Sequence, residues 1–174
     1  MKTREILCTL IMMACVAFSH GQSIVIDGLV YRYYPDENEA FLTKPVDRST
    51  VETANILDTI KVEGVSYPVI RISSSAFSKC ANLKSVTIGN SIKKISSNAF
   101  KNCTSLTSIS IPTSVEEIAE SSFVGCKLEY ANFQSLESLC SIVFIDDNAN
   151  PLSCSQNLYI DGKKITDLTI PDGS

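Results

Sequence analysis

Apolar residues in the middle of the chain repeat with a period of 23 residues. Three residue types keep this period together, with one isoleucine, one phenylalanine and one cysteine in each unit. The three columns are Ile72, Ile95 and Ile118; Phe77, Phe100 and Phe123; and Cys80, Cys103 and Cys126. Such a period is typical of a solenoid, in which each repeat buries its apolar edge against its neighbours. The pattern predicts three stacked units over residues 70–135.

Each unit also contains one predicted strand, in a segment of the form L-x-x-V-x-I. In the first unit the last two apolar positions, Val86 and Ile88, alternate with polar ones, as in a half-buried strand. The three segments are Leu83, Val86 and Ile88; Leu106, Ile109 and Ile111; and, more weakly, Leu128, Ala131 and Phe133. The rest of each unit is too short for a long helix. We therefore expect a β-rich, right-handed array with a tight turn or single helical turn on its outer side.

Two hairpins are predicted before the repeats. Asp27 and Gly28 lie between apolar-rich runs, which is a strong hairpin signal, and Glu63 with Gly64 occupies a similar place in the segment IKVEGVSYPVI. We expect residues 22–69 to form a small β cap on the first edge of the stack, because a bare strand edge invites aggregation. The polar stretch from Pro45 to Asn55 is predicted to be a loop.

The period breaks after Gln134, and residues 136–174 are predicted to form a longer, irregular unit followed by the start of another. Ile165, Leu168 and Ile170 have the spacing of a further strand. A terminal repeat should carry a polar outer face, whereas the final residues resemble the beginning of a unit. We therefore expect the natural sequence to continue.

Residues 1–21 have the features of a secretory signal peptide. Lys2 and Arg4 precede an apolar run of 13 residues, Ile6 to Phe18, and small residues follow it. A membrane span needs roughly 18 or more apolar residues, so none is expected in the mature chain. The alternative is a lipoprotein processed at Cys15, although the apolar run continues past that residue. The sequence thus predicts a secreted or cell-surface protein.

Composition excludes several kinds of function. The net charge of −4 comes from 15 basic and 19 acidic residues without a basic run, so no nucleic-acid surface is indicated. Cleavage after Gly21 would remove His20, which is the only histidine, and with it histidine-dependent catalysis or metal binding. We expect no enzyme and no cofactor; convergent carboxylates in residues 136–174 would be needed to support catalysis.

Five cysteines would remain in the mature chain. Equivalent residues of adjacent turns lie roughly 4.7 to 4.9 Å apart with parallel side chains, whereas a disulfide needs Cβ atoms about 3.5 to 4.5 Å apart that face each other. Cys80, Cys103 and Cys126 are therefore predicted to be buried structural thiols. A disulfide between Cys140 and Cys154 remains open.

One segment of the last unit carries oxygen ligands of the kind that calcium prefers. Asp146, Asp147, Asn148 and Asn150 lie close together in sequence, but the spacing of an EF-hand loop is absent. Asx residues before a proline are ordinary turn formers. We interpret the segment as a turn and expect no metal.

The repeat units resemble those of BspA-like leucine-rich-repeat proteins of Bacteroidota type, which read I-x-x-x-A-F-x-x-C-x-x-L-x-x-V-x-I-P. Residues that carry the resemblance are Ala76, Phe77, Cys80, Leu83, Val86 and Ile88, and Ala99, Phe100, Cys103, Leu106, Ile109, Ile111 and Pro112. The resemblance covers about residues 70 to 174. It implies a leucine-rich-repeat solenoid, secreted or surface-exposed, that adheres to proteins, host surfaces or other cells without catalytic residues.

The predicted strands also indicate a binding surface. If their apolar residues point inward, the residues between them point outward. These outward residues are Ser85, Thr87, Ser108, Ser110, Tyr130, Asn132, Asp167 and Thr169. We expect them to line a concave strip of hydroxyl and amide groups around one tyrosine, suited to a protein or glycan ligand. The alternatives are a plain solvated sheet and a spacer module of a longer surface protein.

Overall fold

The structure is a computed structural model, and it describes residues 21–155 and 157–166. The predicted signal peptide up to residue 20 and the predicted site residues Asp167 and Thr169 lie outside this part of the chain. Within it, none of the helices combines the length and apolar character required to cross a membrane.

The first five strands come from the segment before the repeats, and the sixth runs from that segment into the first unit. They are β1 (Gln22–Ile26), β2 (Leu29–Tyr34), β3 (Glu39–Pro45), β4 (Thr53–Asn55), β5 (Thr59–Val62) and β6 (Val65–Ile72). Both predicted hairpins form: β1 pairs with β2 and β5 with β6 in antiparallel fashion. Their turns, at Asp27 with Gly28 and Glu63 with Gly64, all have positive φ, which the right-handed twist of the strands favours.

The prediction of a loop from Pro45 to Asn55 is wrong at both ends. Pro45 is the last residue of β3, and Thr53–Asn55 forms β4, which pairs in parallel with the strand Ser85–Thr87. Ala54 is buried opposite Val86 in this pair. One small apolar residue between two polar ones is a weak strand signal. The pairing with the next turn, which sequence spacing did not reveal, supplies the hydrogen bonds.

The repeats wind as a β-solenoid of about 5 turns with little helix. On one side lie β7 (Ser85–Thr87), β9 (Ser108–Ile111), β11 (Tyr130–Phe133) and β13 (Leu158–Ile160), and on the other β8 (Lys94–Ile95), β10 (Glu117–Ile118) and β12 (Val143–Phe144). Neighbouring turns pair in parallel, as β9 does with β11 and β8 with β10. A final strand, β14 (Lys163–Lys164), turns back and pairs antiparallel with β13.

Columns of identical side chains fill the interior. Phe77, Phe100 and Phe123 are 0 % exposed, and their rings stack at centroid distances of 5.4 and 5.5 Å with interplanar angles of 3° and 8°. The outer turns also stack through the backbone: Phe77 N donates to Ala99 O at 2.7 Å and Phe100 N to Ser122 O at 2.9 Å. Each turn thus satisfies the backbone groups of its neighbour, as buried backbone requires.

The longer last unit contains the helix α1 (Leu136–Ser141) and two 3₁₀ turns, Asp147–Ala149 and Pro151–Ser153. The helix begins with a reciprocal cap, in which the Ser135 hydroxyl accepts from Ser138 N at 3.0 Å and the Ser138 hydroxyl from Ser135 N at 3.2 Å. Despite this longer path, the chain returns to register at β13, where Leu158 lies opposite Ala131.

Candidate functional site

The outward residues of the strands lie together on one face of the solenoid. We call this face the strand strip; it consists of Thr53, Asn55, Ser85, Thr87, Ser108, Ser110, Tyr130, Asn132 and Tyr159. Register places Tyr130 beside Ser108, and Asn132 beside Ser110. The four predicted residues of β9 and β11 therefore occupy neighbouring positions in one sheet, and Ser85 and Thr87 lie on β7, which contacts β9 but pairs with β4 in a separate two-stranded sheet.

Exposure alternates along β4, β7, β9 and β11, whereas all three residues of β13 are half-buried. Ser110 is exposed between the buried Ile109 and Ile111, and Asn132 is half-buried between the buried Ala131 and Phe133. The apolar neighbours are anchored in the core, so the polar side chains are presented by rigid strands. Preorganisation of this kind lowers the entropy lost when a ligand binds.

Tyr159 belongs to the strip, although the strand pattern of the sequence did not indicate it. It lies on β13, opposite Asn132, and its ring centroid is 4.8 Å from that of Tyr130, with an interplanar angle of 42°. Both tyrosines are half-buried. The sequence signal that could have predicted strand β13 is the turn pair Asp161 and Gly162. Both residues have positive φ and turn the chain from β13 to β14.

Hydrogen bonds hold the amide of Asn132 in place. Its Nδ2 donates to the Ser110 hydroxyl at 3.4 Å, and its Oδ1 accepts from Gly162 N at 2.9 Å. A second amide, that of Asn157, donates to Glu129 O at 2.7 Å just before β11. Both amides of this end of the strip therefore have a fixed orientation.

A cavity of about 490 Å³ opens where β11 begins. Its lining residues are Lys127, Leu128, Glu129, Cys154 and Asn157. One lining residue, Glu129, immediately precedes Tyr130 in sequence.

The acidic segment of the last unit has structural contacts. Both carboxylate oxygens of Asp146 accept from Ser121 N at 3.2 Å. In the two preceding units the equivalent backbone amides, those of Ser75 and Asn98, donate instead to a backbone carbonyl of the next turn. Asn150 Oδ1 accepts from Leu152 N at 3.0 Å. Within residues 21–155 and 157–166 there is no group of three or more histidine, cysteine, aspartate or glutamate side chains arranged to hold a metal ion.

The cysteine column is buried, and all five cysteines of the described segments are free thiols. Cys103 Sγ donates to Phe77 O at 3.1 Å, and Cys126 Sγ donates to Phe100 O at 3.1 Å. Each thiol thus ties its turn to the preceding one. Cys140 is exposed and Cys154 half-buried, and no disulfide joins them.

Burial makes most of these thiols poor nucleophiles. The neighbouring Cys126 thiol, together with burial, holds the pKa of Cys103 well above its usual range. Burial also raises the pKa of Cys80, and burial with the nearby Cys126 raises the pKa of Cys154 to about 11. Because the thiolate is the reactive form, the arrangement suits packing rather than chemistry.

The stacked strands and the phenylalanine and cysteine columns define a leucine-rich-repeat β-solenoid. The model of the BspA type leucine-rich repeat region matches residues 55–150 in six copies. The chain belongs to this family. The match begins within the first turn, beside β4, ahead of the three units that the sequence period indicates.

Solved structures share this fold. A leucine-rich repeat protein from Bacteroides ovatus is 21% identical with a TM-score of 0.57, and the alignment covers 72% of this chain and 38% of that one. The leucine-rich repeat protein of T. pallidum is 21% identical with a TM-score of 0.53, covering 74% of this chain and 66% of that one. The chain thus spans well under half of the first protein. No curated protein matches the sequence significantly.

Proposed function

We propose that the chain is an exported binding protein that recognises a macromolecular partner through the strand strip. The observation that carries this proposal is the pair of half-buried tyrosines, Tyr130 and Tyr159, at 4.8 Å on a rigid sheet beside the oriented amide of Asn132. Tyrosine is enriched among the residues that dominate binding energy. The partner would be a protein or glycan at a cell surface or in a host.

Family membership supports the same conclusion, since repeat proteins of this type occur at bacterial cell surfaces and are typically non-catalytic. Repeat arrays bind along an extended surface. The proposal assigns no catalytic residue and no cofactor. Residues 22–69 would close the first edge of the array, residues 70–135 form its regular units and residues 136–174 its irregular end.

Export is tested on secreted material. We expect the mature chain to begin near Gln22 after removal of residues 1–21, and N-terminal sequencing measures this directly. Recovery of Met1, or of a lipid on Cys15, would contradict the predicted signal peptide.

Binding is tested on immobilised matrix proteins, mucins and glycans. For a ligand that the exported chain captures, Tyr130→Ala combined with Asn132→Ala should weaken binding by about 2 kcal/mol, which is roughly 30-fold. Lys101→Ala, in the outer turn that also carries Phe100, is the control and should have little effect. If the control is the damaging change, the strip is not the binding surface.

A spacer role is the second candidate, because this chain covers only 38% of the Bacteroides ovatus protein that shares its fold. A spacer would bind none of these ligands on its own. Capture by the exported chain, with loss in the strip variant, distinguishes the two.

A further inference from the structure

One row of side chains crosses the strip near its last strand. Register pairs Ser110 with Asn132, Asn132 with Tyr159, and Tyr159 with Lys164. Side chains directly opposite each other on neighbouring strands share a face of the sheet. The row therefore presents a hydroxyl, a carboxamide, a phenol ring and an ammonium group in that order. Tyr130 adds a second ring, 4.8 Å from that of Tyr159.

Resting on the proposed function, we propose that this row binds an acidic glycan. A sugar ring lies against Tyr159 and Tyr130, its hydroxyls bond to Asn132 and Ser110, and a carboxylate or sulfate on it pairs with the exposed Lys164. A binding site of this kind combines an apolar surface with a few well-placed polar groups.

The chemistry of the row matches a sugar group by group. A carboxamide offers a donor and an acceptor side by side, and so does each hydroxyl of a sugar. Because Asn132 is already held by Ser110 and by Gly162 N, its amide does not need to be ordered on binding. The tyrosine rings supply apolar faces with polar tips, which suit the C–H and hydroxyl groups of a sugar ring.

A peptide fits this surface less well. Peptides that add to a sheet need a free strand edge, but here the edge strand β14 is two residues long and carries the exposed Lys163 and Lys164, features that discourage strand pairing. The buried core of a protein interface is more apolar than its polar rim. Apart from the two tyrosines and Lys164, the outward residues of this row and of its neighbours in β7 and β9 carry hydroxyls and the single amide of Asn132.

Calorimetry with the exported chain tests the inference. The probes are uronic-acid, sialylated and sulfated oligosaccharides, each with its neutral counterpart. At least one acidic probe should bind about tenfold or more tightly than its counterpart, Tyr159→Ala should weaken it at least about tenfold, and Lys164→Gln should remove the preference for the acidic probe. Tyr159→Phe, which keeps the ring, should change the affinity less than about threefold.

The chain offers matched controls for both substitutions. Tyr34 is a half-buried tyrosine on β2, which is not a strand of the strip. Its ring is tilted against that of Phe41, with a centroid distance of 5.2 Å and an interplanar angle of 47°. Lys61 is an exposed lysine on the strand β5. Tyr34→Ala and Lys61→Gln should leave glycan binding unchanged, and circular dichroism should show that every variant is folded.

The outcomes separate this inference from the proposed function. If no acidic glycan binds better than its neutral form, or if binding ignores Tyr159 and Lys164, the inference is wrong. If no oligosaccharide binds, but a protein ligand binds the parent chain and not the double variant Tyr130→Ala with Asn132→Ala, the acidic-glycan inference is wrong and the proposed function stands. If neither glycan nor protein binding depends on the strip, both fall.

Discussion

Removal of the middle ring of the phenylalanine column should strongly destabilise the fold. Phe100 is 0 % exposed and lies between Phe77 and Phe123, at 5.4 and 5.5 Å. Phe100→Ala leaves a cavity within a stack of matched turns, which cannot collapse without breaking their register. We expect the free energy of unfolding to fall by about 3 to 5 kcal/mol, as for other buried phenylalanines.

The position in the column allows a sharper expectation. An aromatic pair contributes about 0.5 to 1.5 kcal/mol beyond its buried area, and Phe100 has a stacked ring on both sides, whereas Phe77 and Phe123 have one each among the three. Phe100→Ala should therefore cost about 0.5 to 1.5 kcal/mol more than Phe77→Ala. The double substitution should reveal a coupling of the same size, since touching residues are not additive.

Urea unfolding followed by circular dichroism, with the thiols kept reduced, measures these differences. Thr107→Ala, an exposed position just before β9, is the control and should stay within about 0.5 kcal/mol of the parent. If Phe100→Ala lowers the free energy of unfolding by less than about 0.5 kcal/mol, Phe100 is not a core residue. Equal costs at Phe77 and Phe100 with no coupling would show that the rings do not act as a continuous stack.

Three further predictions concern thiols, repeats and one glycine. In the native protein iodoacetamide should label the exposed Cys140 at pH 8. Because burial raises the pKa of Cys154 to about 11, the rate of its labelling should increase about tenfold for each pH unit up to that value. Rapid labelling of Cys154 at pH 8 would contradict its burial. Deleting residues 92–114 removes one full period, so a shorter folded solenoid should remain with a cooperative unfolding transition; an unfolded product would argue against modular stacking. Gly125→Ala places a Cβ against the Asn102 side chain at a φ of +76°, whereas Gly64→Ala, at a φ of +86°, meets open space. In urea unfolding, Gly125→Ala should therefore lower the free energy of unfolding by about 1 kcal/mol or more beyond the effect of Gly64→Ala.

The sequence predicted those parts of the fold that carry a local or periodic signal. The columns of isoleucine, phenylalanine and cysteine predicted the stacking, because every turn must present the same shape to the next. The turn at Asp27 and Gly28 predicted its hairpin, because few residue pairs tolerate positive φ at both positions. These signals depend on backbone geometry and core shape, which are the same in every turn.

Strand β4 carries neither a local nor a periodic signal, and the sequence did not predict it. Thr53–Asn55 has one apolar residue, Ala54, and lies 32 residues before its partner Ser85–Thr87 instead of 23, since the β5–β6 hairpin is inserted between them. Neither pattern nor period identifies such a strand. Its formation depends on the edge that β7 offers, and β7 belongs to the next turn of the stack.

The third unit shows why the core period does not predict which side chains occupy the outward positions. It lacks one residue between Cys126 and Leu128, yet the Cys126 thiol still donates to Phe100 O and Ala131 still lies opposite Ile109, so the loop absorbs the deletion. Inward positions tolerate little change because each contacts two neighbouring turns. Outward positions meet no such demand, so a period in the core predicts where they lie but not which side chains occupy them. Tyr159 became part of the site only because an irregular unit returned to register beside Tyr130, which is a property of the stack and not of the repeat.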